Sequence, residues 1–202
     1  MPNKALVNVR KRRQPDVRSR RSTSALAHAL IQLIRESDGG FEDITVGDIL
    51  QRAGVGRTTF YAHFRSKEDV LHSAYEGIFS FYQSILDQDA RLSTRLFPVA
   101  EFVDHISQSK PLIDALRRSG LADDMKSQFV GYAAGIIEGR MRALEICTVI
   151  RSRLAARMLA AALVESIDWW VDHSAVAAVE IDTAFHIMAR SLIATRPALA
   201  RH

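Results

Sequence analysis

One cysteine, five prolines and no long apolar run in 202 residues remove several possibilities at once. With Cys147 alone, there is no internal disulfide and no C-x-x-C pair of metal ligands, and a passive role is expected for it rather than redox sensing. No stretch approaches the roughly 18 consecutive apolar residues of a spanning helix. Residues 1–21 are basic and lack the apolar segment that a secretory signal requires. The expectation is a cytoplasmic protein with no membrane partner. Strand-like alternation of apolar and polar residues is missing too, so a sheet is not expected. Catalytic signatures are equally scarce. No nucleophile elbow, phosphate-cradling glycine loop or H-E-x-x-H occurs, and Asp123-Asp124 and the pair Glu165 and Asp168 have ordinary solvated explanations. His105, His173 and His186 are far apart without ligand spacing. Neither an enzyme, a metal site nor a cofactor is expected.

What is present is a helical chain, 48% hydrophobic, with an uneven charge. The net charge is +4, but residues 1–67 carry 13 Lys+Arg against 6 Asp+Glu, and residues 68–202 carry 14 against 17. Segregated basicity of this kind points to a polyanionic partner for the N-terminal third, with nucleic acid the usual one. Residues 1–21, with Arg10, Lys11, Arg12, Arg13, Arg18, Arg20 and Arg21, have almost no apolar periodicity and read as a flexible basic arm. Arg18, Arg20 and Arg21 are candidate arm contacts to DNA, either in a minor groove or through general electrostatics.

The stretch from Thr45 to Lys67, T-V-G-D-I-L-Q-R-A-G-V-G-R-T-T-F-Y-A-H-F-R-S-K, carries the most information. Thr45 and Asp48 form an N-cap and partial capping box, and Val46, Ile49, Leu50 and Ala53 repeat at i, i+3, i+4 and i+7. Gly54 ends that helix, because a position just past a helix end takes the left-handed conformation that glycine adopts without steric cost. A second helix is expected from about Arg57 to His63. There Phe60 and Phe64, four apart, face inward and leave Arg57, Thr58, Thr59, Tyr61 and His63 to solvent. Guanidinium, hydroxyl, phenol and imidazole groups bond base edges and phosphate oxygens. Ser66 with Asp69 caps a third helix, and Lys67 in its first turn meets the positive end of a helix dipole, a strain that an outside phosphate would relieve. The pattern reads as a DNA-reading helix-turn-helix over residues 22–66. An earlier helix from Ser22 or Thr23 to Gly39-Gly40 supplies its third wall.

All remaining segments read as helices. The expected spans are a long link helix from Lys67, then about 96–109, 111–119, 121–143, 150–173 and 178–195. Gly131, Gly135 and Gly139 recur every four residues inside one of them, each costing roughly 1 kcal/mol against alanine. Close approach by a neighbouring helix would repay this, as would clearance for a cavity.

The order helix, helix, turn, then F-Y-A-H-F-R-S-K-E-D-V-L, on an all-helical chain of this length resembles the TetR/AcrR family of bacterial transcriptional regulators. The likeness covers roughly residues 22–79, and Gly56 stands where many members have a serine. The resemblance implies an all-α fold with a three-helix DNA-binding unit and, over residues 67–202, a helical ligand-binding and dimerisation domain. It also implies a phosphate contact at Thr45, recognition by Arg57, Thr58 and Thr59 in the major groove, and backbone contacts from Tyr61, His63 and Lys67. The expected function is a ligand-responsive repressor on a palindromic double-stranded operator, released by a small-molecule effector. An activator, or a DNA binder without sequence preference, is the alternative. Phe102, Met125, Phe129, Tyr132 and Trp169 are candidates for an apolar pocket. Leu163, Ile167, Trp170, Phe185, Met188 and Leu192, on the last two helices, are candidates for a homodimer interface.

Overall fold

The computed structural model describes residues 17–37, 39–88, 94–146 and 150–192. Expectations for residues 1–16 and for Cys147 lie outside them. Among the described residues there are nine helices and no strand: α1 (Val17–Glu36), α2 (Val46–Ala53), α3 (Arg57–Tyr61), α4 (Lys67–Gln88), α5 (Val99–Gln108), α6 (Lys110–Arg118), α7 (Ala122–Ala143), α8 (Ser152–Asp172) and α9 (Ala178–Ser191). The all-α expectation holds. Helix α1 begins five residues before Ser22, so Arg18, Arg20 and Arg21 ride on a helix rather than an irregular arm.

Local chemistry sets the short helices. The Thr45 hydroxyl accepts from the Asp48 N–H at 3.2 Å while the Asp48 carboxylate accepts from the Thr45 N–H at 2.8 Å, a complete capping box. Gly54 closes α2 at φ +64°, and the Val55 N–H bonds back to Leu50 O at 3.1 Å. Gly56 caps α3 without a side chain, and α3 is two residues shorter than the spacing suggested. Ser66 accepts from the Asp69 N–H at 3.4 Å at the start of α4.

Among the described residues a single buried cluster runs from Leu26, Leu30 and Ile34 of α1, through Phe60 and Phe64, to Leu163 and Phe185 of the last helices. The N-terminal unit is therefore packed onto the body rather than tethered to it. In the body, Phe79 of α4 is ringed by Phe97, Phe102, Phe129 and Tyr132, with centroids 4.9–6.4 Å away. Helices α6, α7 and α8 are tied by Asp168, which meets Lys126 at 2.6 Å and Arg117 at 2.8 Å. Burial opposes ionisation of this carboxyl, yet the two cations hold it below the usual carboxylate range.

Two groups fix the α1–α2 loop. At Gly40, φ is +76° and an added Cβ would lie 2.3 Å from the Ser119 hydroxyl of α6, so only glycine fits. The same hydroxyl accepts from the Phe41 N–H at 2.8 Å and donates to Ala115 O at 2.9 Å. From the other side the Lys67 ammonium donates to Phe41 O at 2.8 Å and Glu42 O at 3.1 Å, and lies 4.4 Å from the centre of the Phe41 ring.

Among the described residues no helix closely approaches the glycine row of α7, and none of the three glycines lines the cavity described below. A Cβ at Gly131, Gly135 or Gly139 would meet nothing within 4 Å.

Candidate nucleic-acid interface and interior cavity

Helix α3 is anchored by Phe60, fully buried, and by Phe64 in the turn after it. Those two rings orient the helix so that Arg57, Thr58, Tyr61 and His63 are exposed, while Thr59 is half-buried. Tyr61 is 59% exposed although its ring packs edge-on to Phe60 at 5.2 Å. Ser19 of α1 lies 3.3 Å from His63 Nε2, which brings the basic start of α1 beside α3. Arg20 and Arg21, on the same turn, are exposed. A guanidinium, hydroxyls, a phenol and an imidazole thus share one surface with two more arginines.

Two expected phosphate contacts are already engaged inside the protein. The Thr45 hydroxyl donates to Asp48 Oδ2 at 2.6 Å, and its backbone N–H serves the same carboxylate, so both of its donors belong to the cap. Lys67 is more fully committed: its side chain is only 16% exposed and its ammonium is spent on the two loop carbonyls. The positive end of α4 has Glu68 and Asp69 in its own first turn. Sequence spacing did not reveal this, because the carbonyls lie 25 and 26 positions away.

Behind this surface lies a cavity of about 620 Å³ between α1, α4, α5, α6, α7 and α8. That is within the range of about 300–1,000 Å³ usual for small-molecule sites. Phe102, Met125 and Phe129 line it as expected. Tyr132 and Trp169 do not. Tyr132 stacks on Phe79 at 5.3 Å and donates to Glu76 at 3.0 Å, and burial with that carboxylate pushes its phenol up to about 12. Trp169 is 50% exposed and stacks on His173 at 4.1 Å. Residues that the sequence reading missed are those of α1, namely Thr23, Ser24, Ala27, His28, Ile31 and Arg35, which form one wall. Nothing in the local pattern of α1 marks that wall, since it depends on where α5 and α6 pack.

Four of the six residues expected at a dimer interface serve the chain's own core. Leu163, Ile167, Trp170 and Phe185 are buried, and the Trp170 indole N–H donates to Val176 O at 2.7 Å. Met188 is exposed and Leu192 is partly so. The large apolar side chains left in solvent on these helices are Leu154, Met158 and Trp169 of α8 and Val179, Ile187 and Met188 of α9.

Among the described residues no cluster of three His, Cys, Asp or Glu is placed to hold a metal, and no helix is long and apolar enough to cross a membrane.

Residues 36–74 match the family model of bacterial regulatory proteins of the tetR family. No curated protein matches the chain in sequence. Solved structures with the same fold include a TetR transcriptional regulator from Streptococcus agalactiae, at 23% identity and TM-score 0.57, the match covering 85% of this chain and 95% of that one. The dihydroxyacetone kinase operon activator DhaS is similar at 13% identity and TM-score 0.61, over 86% of this chain and 98% of its own. NalD of Pseudomonas aeruginosa, the secondary repressor of a multidrug efflux pump, is similar at 19% identity and TM-score 0.53, over 87% and 98%. At these identities the structural likeness is one of fold. Residues 36–74, which hold the helix-turn-helix, carry the sequence match to that family model, and the described helices share the architecture of these solved regulators.

Proposed function

We propose that the protein is a homodimeric, sequence-specific transcriptional regulator, a repressor that leaves a palindromic operator when a small molecule enters the cavity. The observation that carries this reading is the position of α1. It borders the exposed face of α3 through Ser19 and lines the cavity through Thr23 to Arg35. One rigid helix thus touches both the nucleic-acid face and the ligand space. Arg57, Thr58 and Thr59 read bases, Tyr61 and His63 hold the phosphate backbone, and Arg20 and Arg21 add cationic contacts. Thr45 and Lys67 act indirectly, by holding α2 and the α1–α2 loop.

Dimerisation uses the exposed apolar face of α8 and α9, which sets two copies of α3 about one DNA turn, 34–36 Å, apart. An occupant that favours a different seating of α1 and α4 changes that spacing. Moving the operator from nearly all bound to nearly all free takes about 5.5 kcal/mol of difference in affinity between the two states.

Selection of bound sequences from random DNA by the purified protein tests the reading. A two-fold symmetric site is expected. Binding that random competitor DNA removes as readily as the selected sequence, at fixed salt, would leave a non-specific binder and overturn the proposal.

A further inference from the structure

The walls of the cavity constrain the chemistry of its occupant. Most of its surface is apolar, from Ile31, Ile78, Phe102, Ile106, Met125 and Phe129. Among the described residues three formal charges lie on it: Arg35, Lys126 and Asp168. Lys126 and Asp168 neutralise one another at 2.6 Å, and Arg117 adds a second cation to that carboxylate. Arg35 is left without an ion-pair partner among the described residues. It is exposed and therefore stands at the mouth, on the last turn of α1. His105 shares the cavity, and burial, with Arg35 close by, holds its imidazole below the usual range, so it adds a neutral hydrogen-bonding group rather than charge. Tyr75, also on the wall, is 3% exposed, and its buried hydroxyl has no hydrogen-bond partner among the described residues. A buried polar atom in that state is stabilised by any ligand oxygen that reaches it.

We propose that the cavity takes an amphipathic anion: an apolar, oxygen-bearing body among the aromatic and aliphatic walls, ending in one carboxylate beside Arg35. A lipophilic cation is disfavoured because Asp168, the one wall carboxylate among the described residues, is already doubly paired. The geometry also gives the ligand two masters, since Arg35 belongs to the N-terminal unit while Phe102, Met125 and Phe129 belong to the body. Binding then ties α1 directly to α5 and α7, in addition to any effect through the link helix α4. This inference deepens the effector reading given above and rests on it for its biological meaning.

The test uses the full chain without DNA, so that its result is independent of operator binding. Titration calorimetry compares dodecanoate, dodecanamide, dodecyltrimethylammonium and 12-hydroxydodecanoate, all below their aggregation limits, against the protein and its Arg35→Gln and Tyr75→Phe variants. Dodecanoate is expected to bind one per chain, at least tenfold tighter than the amide or the cation. Arg35→Gln should erase that preference while leaving the melting temperature of the free protein within a few degrees. The hydroxylated acid should bind no worse than dodecanoate, and should fall behind it by about tenfold in Tyr75→Phe, the worth of one hydrogen bond. Equal binding of amide or cation, indifference to Arg35→Gln, or no binding by any of the four overturns the proposal. A separate operator-release assay with dodecanoate distinguishes the two readings: tight binding without release refutes the effector role and leaves the ligand class standing.

Discussion

Replacing Lys67 by methionine separates two roles that a lysine at a helix start can play. In the folded chain the ammonium makes two charge-assisted hydrogen bonds, to Phe41 O at 2.8 Å and Glu42 O at 3.1 Å, from a side chain that is 16% exposed. Each bond of this type contributes about 1.5–3 kcal/mol, but the two share one donor group, and the carbonyl of exposed Glu42 can return to water. Methionine retains most of the packing on Phe41 and loses the cation–π contact. The expected cost is about 2–3 kcal/mol, which for a chain of 202 residues lowers the melting temperature by roughly 4–12 °C. Circular dichroism melting measures this directly, and DNA binding as a function of salt supplies the second axis. If Lys67 is a structural clamp, Lys67→Met lowers stability and leaves the salt slope of DNA binding nearly unchanged. If the ammonium instead meets a phosphate, the melting temperature stays put and the slope falls by about one unit. That second result would refute the assignment made from the loop geometry.

Four further outcomes follow from the same structure. Arg57→Ala should relax preference at one base position per half-site, worth about 1–3 kcal/mol of discrimination; an unchanged selected sequence removes Arg57 from base reading. Trp169→Glu and Met158→Glu should shift sedimentation toward the monomer mass, whereas Trp170→Ala should cost about 3–5 kcal/mol of stability, and the opposite pattern would relocate the interface. Gly135→Ala should raise stability by about 0.5–1 kcal/mol, because the added methyl group meets nothing within 4 Å and removes the helix cost of glycine; a destabilised variant would mean that another surface packs there. The pH dependence has a defined sign at His105. Burial, and then Arg35, lower its folded pKa, so the unfolded chain takes up the proton first. Stability is full above the unfolded value near 6.5 and is lost as pH falls below it. Chemical denaturation between pH 7.5 and 5.5 should show that slope, and His105→Gln should flatten it.

Much of the N-terminal unit was legible because its signals are local. Thr45 with Asp48, the left-handed Gly54 and the Phe60 and Phe64 pair each act within four residues, and each appears where the spacing put it. Helix order in the body was legible for the same reason. The last helices were harder to read. Helix α8 carries Arg153, Arg157, Glu165, Asp168 and Asp172 along one side, but Leu154, Met158 and Trp169 are exposed as well, so residue type alone does not separate its core from its surface. Trp169 and Trp170 are neighbours, yet one is 50% exposed and the other 5%. Residue type cannot choose between them; the packing of α8 against α7 and α9 does. The partners of Lys67 and the α1 wall of the cavity were hidden by sequence separation. Both depend on loops and helix crossings that no short window contains.

The Gly40 contact bears on how far this protein is modular. Its N-terminal unit is continuous in sequence, but the loop joining α1 to α2 is seated on the end of α6 through Ser119. A graft of that unit onto a foreign helical body would meet a surface without the matching hydroxyl, and a bulkier group there would push against the Gly40 backbone. Exchange of specificities between relatives of this chain is therefore governed by a seam of two small residues, and the tail of α6 has to travel with the reading head.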